Sequence, residues 1–564
     1  MSYRETYKEW LDMARGDDLR DELNSIKDDD AQIKERFLQD MPFGTAGLRG
    51  LIGAGTTRMN RYTVGRATQG LAQFLKSRGK ERGGMVIAYD SRNYSREFAK
   101  EAACIFAGNG IKTYIFKELT GVPELSFAVR HLKASGGVVI TASHNPKDYN
   151  GYKVYAAYGG QLNPQDSLKV MEHIQSANVF SGIKRMAFED GVAKGIIEEI
   201  GEEVDASYCE NLILLCGSDE AADLKVVYTP LHGSGLRLVK RVLPAAGIRN
   251  LHIVSEQSEP DGDFPTVKSP NPEDALAMRM AVELAKNIKA DIVIGTDPDA
   301  DRMGAAVREN SGEYRMLTGN SIGCILIAYL LEERKRRKRL LPTDFIVKSF
   351  VSSNLADAIA RDYGVKCHTV LTGFRFISEL IARSEGTENE FVFGFEESCG
   401  FLAGNGSRDK DGVLASLLFC KAAQHYKDKG KGLLEVLDEL YARYGYYLEE
   451  VKNVEFAGID GMEKMLSIMS ALREKNYESI GGISVAYKED YQSGISIAAD
   501  GTKTQIDMPR TNAIKYILKG GAWVCVRPSG TEPKIKIYIA SCAPKERTAK
   551  KQIECLRGFF DTLL

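Results

Sequence analysis

The ten cysteines are scattered from Cys104 to Cys555 with no Cys-x-x-Cys or other close pair. That removes the sequence signature of a zinc site and points to reduced thiols in the cytoplasm. An excess of either charge is also missing. Lys+Arg 75 stand against Asp+Glu 77, so no diffuse basic field marks a nucleic-acid binder and small-molecule chemistry is the better expectation. Long apolar runs are lacking too: the longest uncharged stretch, Met316 to Leu331, is broken by Thr318, Gly319, Asn320 and Ser321, and Met1 to Lys8 holds no apolar signal core. The expectation is a chain neither secreted nor membrane-spanning. What remains is 564 residues, 43% hydrophobic and 27% charged, an ordinary globular composition long enough for several cores.

Apolar positions at helical spacing from Tyr3 to Asp40, among them Trp10, Leu23, Ile33 and Phe37, predict an N-terminal helical segment packed on a first domain. A helix over Thr63 to Ser77, a strand at Gly84 to Tyr89 ending in Asp90-Ser-Arg92, a helix to Asn109 and a strand at Lys112 to Phe116 then alternate, which reads as a parallel-sheet α/β domain. The cadence returns at Leu224–Val239 and again from Phe345, giving three similar α/β domains. The last portion differs. Strands at Gly521–Arg527 and Lys534–Ala540 precede an amphipathic helix from Lys545 to Leu563, which predicts a smaller C-terminal α+β domain. The expected divisions are 1–207, 208–320, 321–448 and 449–564. The basic run Glu333-Arg-Lys-Arg-Arg-Lys-Arg339 closes a helix before Pro342, where cations suit the helix dipole better than they suggest a nucleic-acid patch.

Four stretches carry chemistry. The small, β-branched run Gly136-Gly-Val-Val-Ile140 ends in Thr141-Ala-Ser-His-Asn-Pro146. A polar loop there presents Ser143 beside His144, as a nucleophile, a phosphate carrier or a turn residue. Asp291-Ile-Val-Ile-Gly-Thr296 leads into Asp297-Pro-Asp-Ala-Asp-Arg302, three hard carboxylates at alternate positions that fit Mg2+. A calcium EF-hand is excluded because Arg302 stands where its glycine belongs and Arg308 where its glutamate belongs. An aspartyl nucleophile of the haloacid-dehalogenase kind is the rival, although Asp301 occupies the place where that family shows Thr or Val. In Val392-Phe-Gly-Phe-Glu-Glu-Ser-Cys-Gly400, Glu396 and Ser398 would face one side of an extended loop and offer groups to a polyol. Thr372-Gly-Phe-Arg375 and Arg408-Asp-Lys-Asp-Gly412 add a hydroxyl and cations. Finally Arg527-Pro-Ser-Gly-Thr-Glu-Pro533 joins two strands, and Arg527 with Ser529, Gly530 and Thr531 makes a phosphate cradle. Upstream, Phe43-Gly-Thr-Ala-Gly-Leu-Arg-Gly50 sets glycines around Thr45 and Arg49, a composition open to an anion or to a plain turn.

Taken in order, these stretches resemble the α-D-phosphohexomutase superfamily, and within it the phosphoglucomutases, from Phe43 to Ala540. The resemblance implies four domains around a central cleft. It makes Ser143 the phosphoryl carrier and, with Asp297, Asp299 and Asp301, a Mg2+ ligand. It implies Arg49, Lys153 and Lys410 as active-site cations, Glu396 and Ser398 as sugar-hydroxyl ligands, and Arg527, Ser529, Gly530 and Thr531 as the site of the phosphate that does not react. Beside these, Lys153 or His144 is the candidate catalytic base, and Thr45, Arg302, Thr372 and Arg375 are candidate substrate-binding groups by residue type. The expected reaction interconverts glucose 1-phosphate and glucose 6-phosphate through glucose 1,6-bisphosphate. Sugar phosphates are the expected partners, with no nucleic acid and no membrane. Phosphopentomutase or phosphomannomutase activity on the same scaffold is the near alternative; an aspartyl phosphatase and a non-catalytic sugar-phosphate binder are the distant ones.

Overall fold

The computed structural model describes residues 2–44, 47–217, 222–456, 461–529 and 534–563. They form two compact units. The first is Met1–Gly319 with Ile377–Gly394 and Ser398–His425; the second is Asn320–Phe376 with Phe395–Glu397 and Tyr426–Leu564. Among the described residues no helix is long and apolar enough to cross a membrane.

The first unit opens with helices Tyr3–Met13, Asp17–Ser25 and Asp30–Phe37. Ser2 and Glu5 cap the first reciprocally, which satisfies amides that the helix start leaves open. Trp10 is fully buried and meets Phe37, Tyr62 and Phe180 edge-on, with ring centroids 5.7, 5.4 and 5.5 Å away. Because Tyr62 lies on helix Arg61–Ser77, the extension is fastened to the α/β body by aromatic packing.

That body holds two sheets. Strands β1 (Gly47–Leu51), β2 (Met85–Tyr89), β3 (Thr113–Phe116), β4 (Gly136–Ile140), β5 (Tyr149–Ala156) and β6 (Ile197–Ile200) run in the order β1-β5-β4-β2-β3-β6. Strands β7 (Val226–Thr229), β8 (Leu251–Ile253), β9 (Ile292–Thr296), β10 (Met303–Arg308) and β11 (Tyr314–Leu317) run β11-β10-β9-β7-β8. The fully parallel sheet expected for the first domain is corrected. β2, β3, β4 and β6 are parallel, but β5 is antiparallel to β4 and to β1. The reason is the connection: the residues between Ile140 and Tyr149 are too few for a crossover helix, so the chain must return antiparallel. β9 and β10 repeat the pattern around Asp297–Arg302.

In the second unit β12 (Asp344–Ser349) and β13 (Lys366–Val370) pair in parallel. Along the chain, β14 (Glu390–Glu396) and β15 (Gly400–Ala403) flank a three-residue turn. The C-terminal part is richer than two strands and a helix. β16 (Tyr446–Glu455), β18 (Ile483–Asp490), β19 (Ile495–Ala498), β20 (Lys503–Gln505), β21 (Ile514–Leu518), β22 (Trp523–Pro528) and β23 (Lys534–Ala543) form an antiparallel sheet ordered β16-β23-β22-β21-β18-β19-β20, with β17 (Ser479–Ile480) on β18. Strands such as Tyr446–Glu455 are only half buried and interleave charge with apolar residues, which masks them in sequence. Helix Glu546–Leu563 covers this sheet through Ile553, Leu556 and Phe560. The basic run is a helix end, as expected: Arg334 pairs with Asp344 at 3.0 Å, and Arg336 and Arg337 pair with Glu333.

Candidate active site

β4 is buried along its whole length, so the chain leaves the sheet interior abruptly at Thr141. The Thr141 hydroxyl accepts from the Ser143 amide (2.8 Å) and donates to Asp299 Oδ2 (3.1 Å). This turn puts Ser143 at φ +52°, a left-handed conformation uncommon for serine. Its Oγ donates to Asp297 Oδ2 at 2.6 Å and lies 3.2 Å from His144 Nδ1.

Asp297 is the first residue past β9. Its Oδ1 accepts from the amides of Asp301 (3.1 Å) and Arg302 (3.0 Å), which curls the loop and brings one oxygen each of Asp297, Asp299 and Asp301 within 4.8 Å of one another. Three successive carbonyls of the loop are then taken up by three helix starts. Pro298 O accepts from the Ser234 amide, Asp299 O from Val122 and Ala300 O from Gly412, each at 2.9 Å. These amides lead helices Leu236–Ala245, Val122–His131 and Gly412–Asp428. Glycine makes the approach possible, since a Cβ at Gly121 would stand 2.5 Å from Asp299 O and one at Gly412 2.6 Å from Arg302 O.

Cations surround the carboxylates. Lys153 on β5 reaches Asp299 (2.7 Å) and Asp301 (3.4 Å), and Lys410 reaches Asp301 (3.2 Å) and Asp409 (3.0 Å). Arg302 binds Glu273 at 2.7 Å and the Ser398 carbonyl at 3.1 Å. Arg49 on β1 sets Nη1 3.2 Å from Asn145 Oδ1 in the serine loop. Burial, reinforced by Asp299 and Asp301, pushes the Asp297 carboxyl well above its usual range. Burial pushes Asp301 the same way but is outweighed by Lys410, Lys153 and Arg302, so that its carboxyl sits below the usual range. Lys153 is desolvated as well, yet Asp299 and Asp301 raise it and keep it an ammonium. Burial and the cations Arg302 and Arg49 hold His144 well below its usual range, hence neutral. Asp299 Oδ1 and Asp301 Oδ1 are buried without a hydrogen-bond partner. Orphaned carboxylate oxygens at this spacing, with no soft ligand, fit a hard divalent cation.

The structure therefore brings Ser143, His144, Arg49, Lys153, Arg302, Lys410, Asp297, Asp299 and Asp301 into one constellation within the first unit. Within the second, Glu396 Oε1 accepts from the Gly373 amide at 2.6 Å, and the neighbouring Thr372 Oγ1 is buried without a partner. Arg375 lies 4.6 Å over the Phe376 ring. Arg527 lies 5.8 Å over the Phe350 ring with its Nε buried and without a hydrogen-bond partner, and the Ser529 amide donates to Lys534 O at 2.7 Å. The reading of Glu396 and Ser398 on one extended loop is corrected. The apolar run Phe391–Phe395 carries β14 through Glu396, whereas Ser398 sits inside a tight turn closed by Cys399 at φ +57°. Thr45, Gly530 and Thr531 lie outside the described residues. Sequence reasoning missed Thr141, Arg92 and the helix starts at Gly121 and Ser234. Thr141 falls inside the serine motif, while the others carry no local signal.

Family profiles match in the same order. The alpha/beta/alpha domains I, II and III described as phosphoglucomutase/phosphomannomutase match residues 40–179, 206–312 and 318–444, and the C-terminal domain of that family matches residues 479–554. The chain belongs to the phosphoglucomutase/phosphomannomutase family. It is accordingly an enzyme of the phosphohexomutase class, in the α-D-phosphohexomutase superfamily. Its curated relatives include the phosphoglucomutase of Staphylococcus saprophyticus, 39% identical over 502 residues covering 89% of this chain and 90% of that one. That of Staphylococcus epidermidis is 37% identical over 546 residues, 96% and 98% of the two chains. Solved structures of the same fold include Paramecium parafusin, a phosphoglucomutase, with TM-score 0.68 and 17% identity over 93% of this chain and 94% of that one. A phosphoglucomutase/phosphomannomutase family protein of Burkholderia thailandensis has TM-score 0.67 and 16% identity over 93% and 96%. In this phosphohexomutase the loops of Ser143, Asp297–Asp301, Glu396–Ser398 and Arg527 fall one in each matched domain. The three helix starts that hold the aspartate loop come from the first three of those domains.

Proposed function

We propose that this enzyme interconverts glucose 1-phosphate and glucose 6-phosphate, with Ser143 as the phosphoryl carrier. The observation that supports it most is the Ser143 hydroxyl, 2.6 Å from Asp297 at the mouth of a three-carboxylate loop ringed by Lys153, Lys410 and Arg302. Phospho-Ser143 donates to the free hydroxyl of the hexose monophosphate: the bond from phosphorus to Oγ breaks and one to the sugar oxygen forms. The hydroxyl proton passes to a nearby base, the departing Oγ takes up a proton in its place, and glucose 1,6-bisphosphate results. The bisphosphate turns over, and Oγ gives up that proton and takes back the other phosphoryl group while the released sugar oxygen is protonated in turn. His144 Nδ1, 3.2 Å from Oγ, is in reach of the proton on Oγ, whereas the Lys153 ammonium is engaged by Asp299 and Asp301. Asp297, Asp299 and Asp301 would hold Mg2+, which offsets charge on the transferred group. Glu396 and Thr372 supply sugar-hydroxyl contacts, and Arg527 with Ser529 binds the phosphate that does not react. No two of the ten cysteines are joined in a disulfide, which fits a cytoplasmic enzyme.

Ser143→Ala should retain the fold and lose mutase activity by at least about three orders of magnitude, as removal of a covalent carrier does. Substantial turnover in that variant would refute the carrier role, and phosphate trapped on Asp297 instead would favour the aspartyl rival. In steady-state assays across glucose, mannose, glucosamine and pentose phosphates, glucose should give the highest kcat/KM; a pentose phosphate in first place would overturn the glucose assignment.

A further inference from the structure

Arg92 stands just past the end of β2, with its side chain sealed from solvent. Its guanidinium donates to four backbone carbonyls, those of Ser143 (2.6 Å), Asn145, Pro146 (2.9 Å) and Tyr149 (3.1 Å). These acceptors run from Ser143 through the connection between β4 and β5 to Tyr149, the first residue of β5. Its planar group lies over the Phe264 ring at 5.0 Å, and Asp90 faces Nε at 3.4 Å. A buried cation is costly, and the hydrogen bonds of this side chain go to a single loop, one whose carbonyls would otherwise turn to water. The segment carrying Phe264 ties the same loop a second way: Ser269 Oγ donates to His144 O at 2.6 Å, and Asp263 meets Lys147 at 3.3 Å. What is held is a strained backbone, since Ser143 at φ +52° has an orientation that an unrestrained loop would leave.

We infer that Arg92, seated on Phe264, is a positioning residue for the phosphoryl carrier, fixing the loop so that Ser143 Oγ stays within reach of Asp297 during both transfers. This rests on the carrier role proposed for Ser143. Arg92 donates to no carboxylate of the aspartate loop, so its loss misplaces Oγ without removing any group that binds sugar or metal. Such a fault lowers kcat and spares KM.

Arg92→Lys keeps the charge but replaces the planar fork with one point donor. With active sites titrated by labelled phosphate on Ser143, kcat per titrated site should fall about 100-fold, the cost of roughly an ångström of misplacement, while KM stays within about threefold. A merely structural role predicts fewer titrated sites, each turning over at the wild-type rate, and that result overturns the inference. So does a rise confined to KM. Phe264→Leu keeps every hydrogen bond and removes the aromatic seat; kcat per site should fall about tenfold in the same sense. Should Arg92→Lys not fold, an unchanged kcat in Phe264→Leu overturns the inference. A wild-type enzyme that takes no label on Ser143 refutes the carrier role and this inference with it; a labelled wild type with an unaffected Arg92→Lys refutes the inference alone.

Discussion

Ser143 and Glu396, both proposed to act on the substrate, illustrate two ways in which a single side chain is held in place. Ser143 is fixed from its backbone outward, by the Thr141 hydroxyl at its amide and the Asp297 carboxylate at its Oγ. Glu396 is fixed by its own side chain, one oxygen of which is held by the Gly373 amide. Glu396→Gln keeps an acceptor for that amide and loses the charge. A hydrogen bond to a charged partner contributes about 1.5–3 kcal/mol, so kcat/KM on glucose 1-phosphate should fall about 10- to 100-fold. Arg527→Ala should slow Ser143 phosphorylation by glucose 1,6-bisphosphate more than Glu396→Gln does, because every sugar phosphate carries the group proposed to meet Arg527. Stopped-flow labelling of the two variants compares them; equal effects would remove the distinction drawn between the two sites.

At the scale of elements, the residues proposed for the chemistry sit where a strand turns back on its neighbour. Ser143 lies between β4 and β5, Asp297–Asp301 between β9 and β10, and Arg527 at the end of β22 before β23. A hairpin connection is short, so its residues are held by two strands at once, unlike those of a long crossover loop. The aspartate loop gains further rigidity from the helix starts at Val122, Ser234 and Gly412. Gly121→Ala tests this. The added methyl would meet Asp299 O at 2.5 Å, an overpacking that costs about 1–3 kcal/mol. Activity and divalent-cation affinity should both fall. Gly558→Ala, in helix Glu546–Leu563 with nothing within 4 Å, should instead stabilise by about 0.5–1 kcal/mol. Thermal unfolding and metal titration of both variants provide the comparison, and a neutral Gly121→Ala would show that the close approach is dispensable.

For the molecule as a whole, the proposed metal site belongs to one compact unit, and binding there is expected to be read locally. The three aspartates belong to the first unit, so a cation bound at about 100 times its Kd should stabilise that unit by about 2.7 kcal/mol. Hydrogen exchange should show added Mg2+ protecting β9, β10 and the Ser143 loop, with β18 to β22 unchanged. A chelator should reverse the protection and abolish activity, while Mn2+, also a hard ion, should partly substitute. Equal protection of both units, or undiminished activity without metal, would count against the aspartate site.

The α/β cadence, the smaller C-terminal domain and the serine and aspartate loops were legible in the sequence because they depend on local patterns: apolar strands ending in turn residues, and like ligands at alternate positions. The antiparallel β5 departs from the parallel sheet that the alternation predicts, since periodicity reports that a strand exists and not which neighbour it joins. The charged strands of the C-terminal sheet were missed because half-buried edges do not stand out from solvated chain. Tertiary structure alone decided that Lys153 and Lys410, 257 residues apart in number, converge on Asp301, that Arg92 reaches under the Ser143 loop, and that Gly121 touches Asp299. The residue types at those positions are ordinary. Their roles come from sheet order and the close approach of helix starts, which bring distant segments within hydrogen-bond range only after the chain has folded.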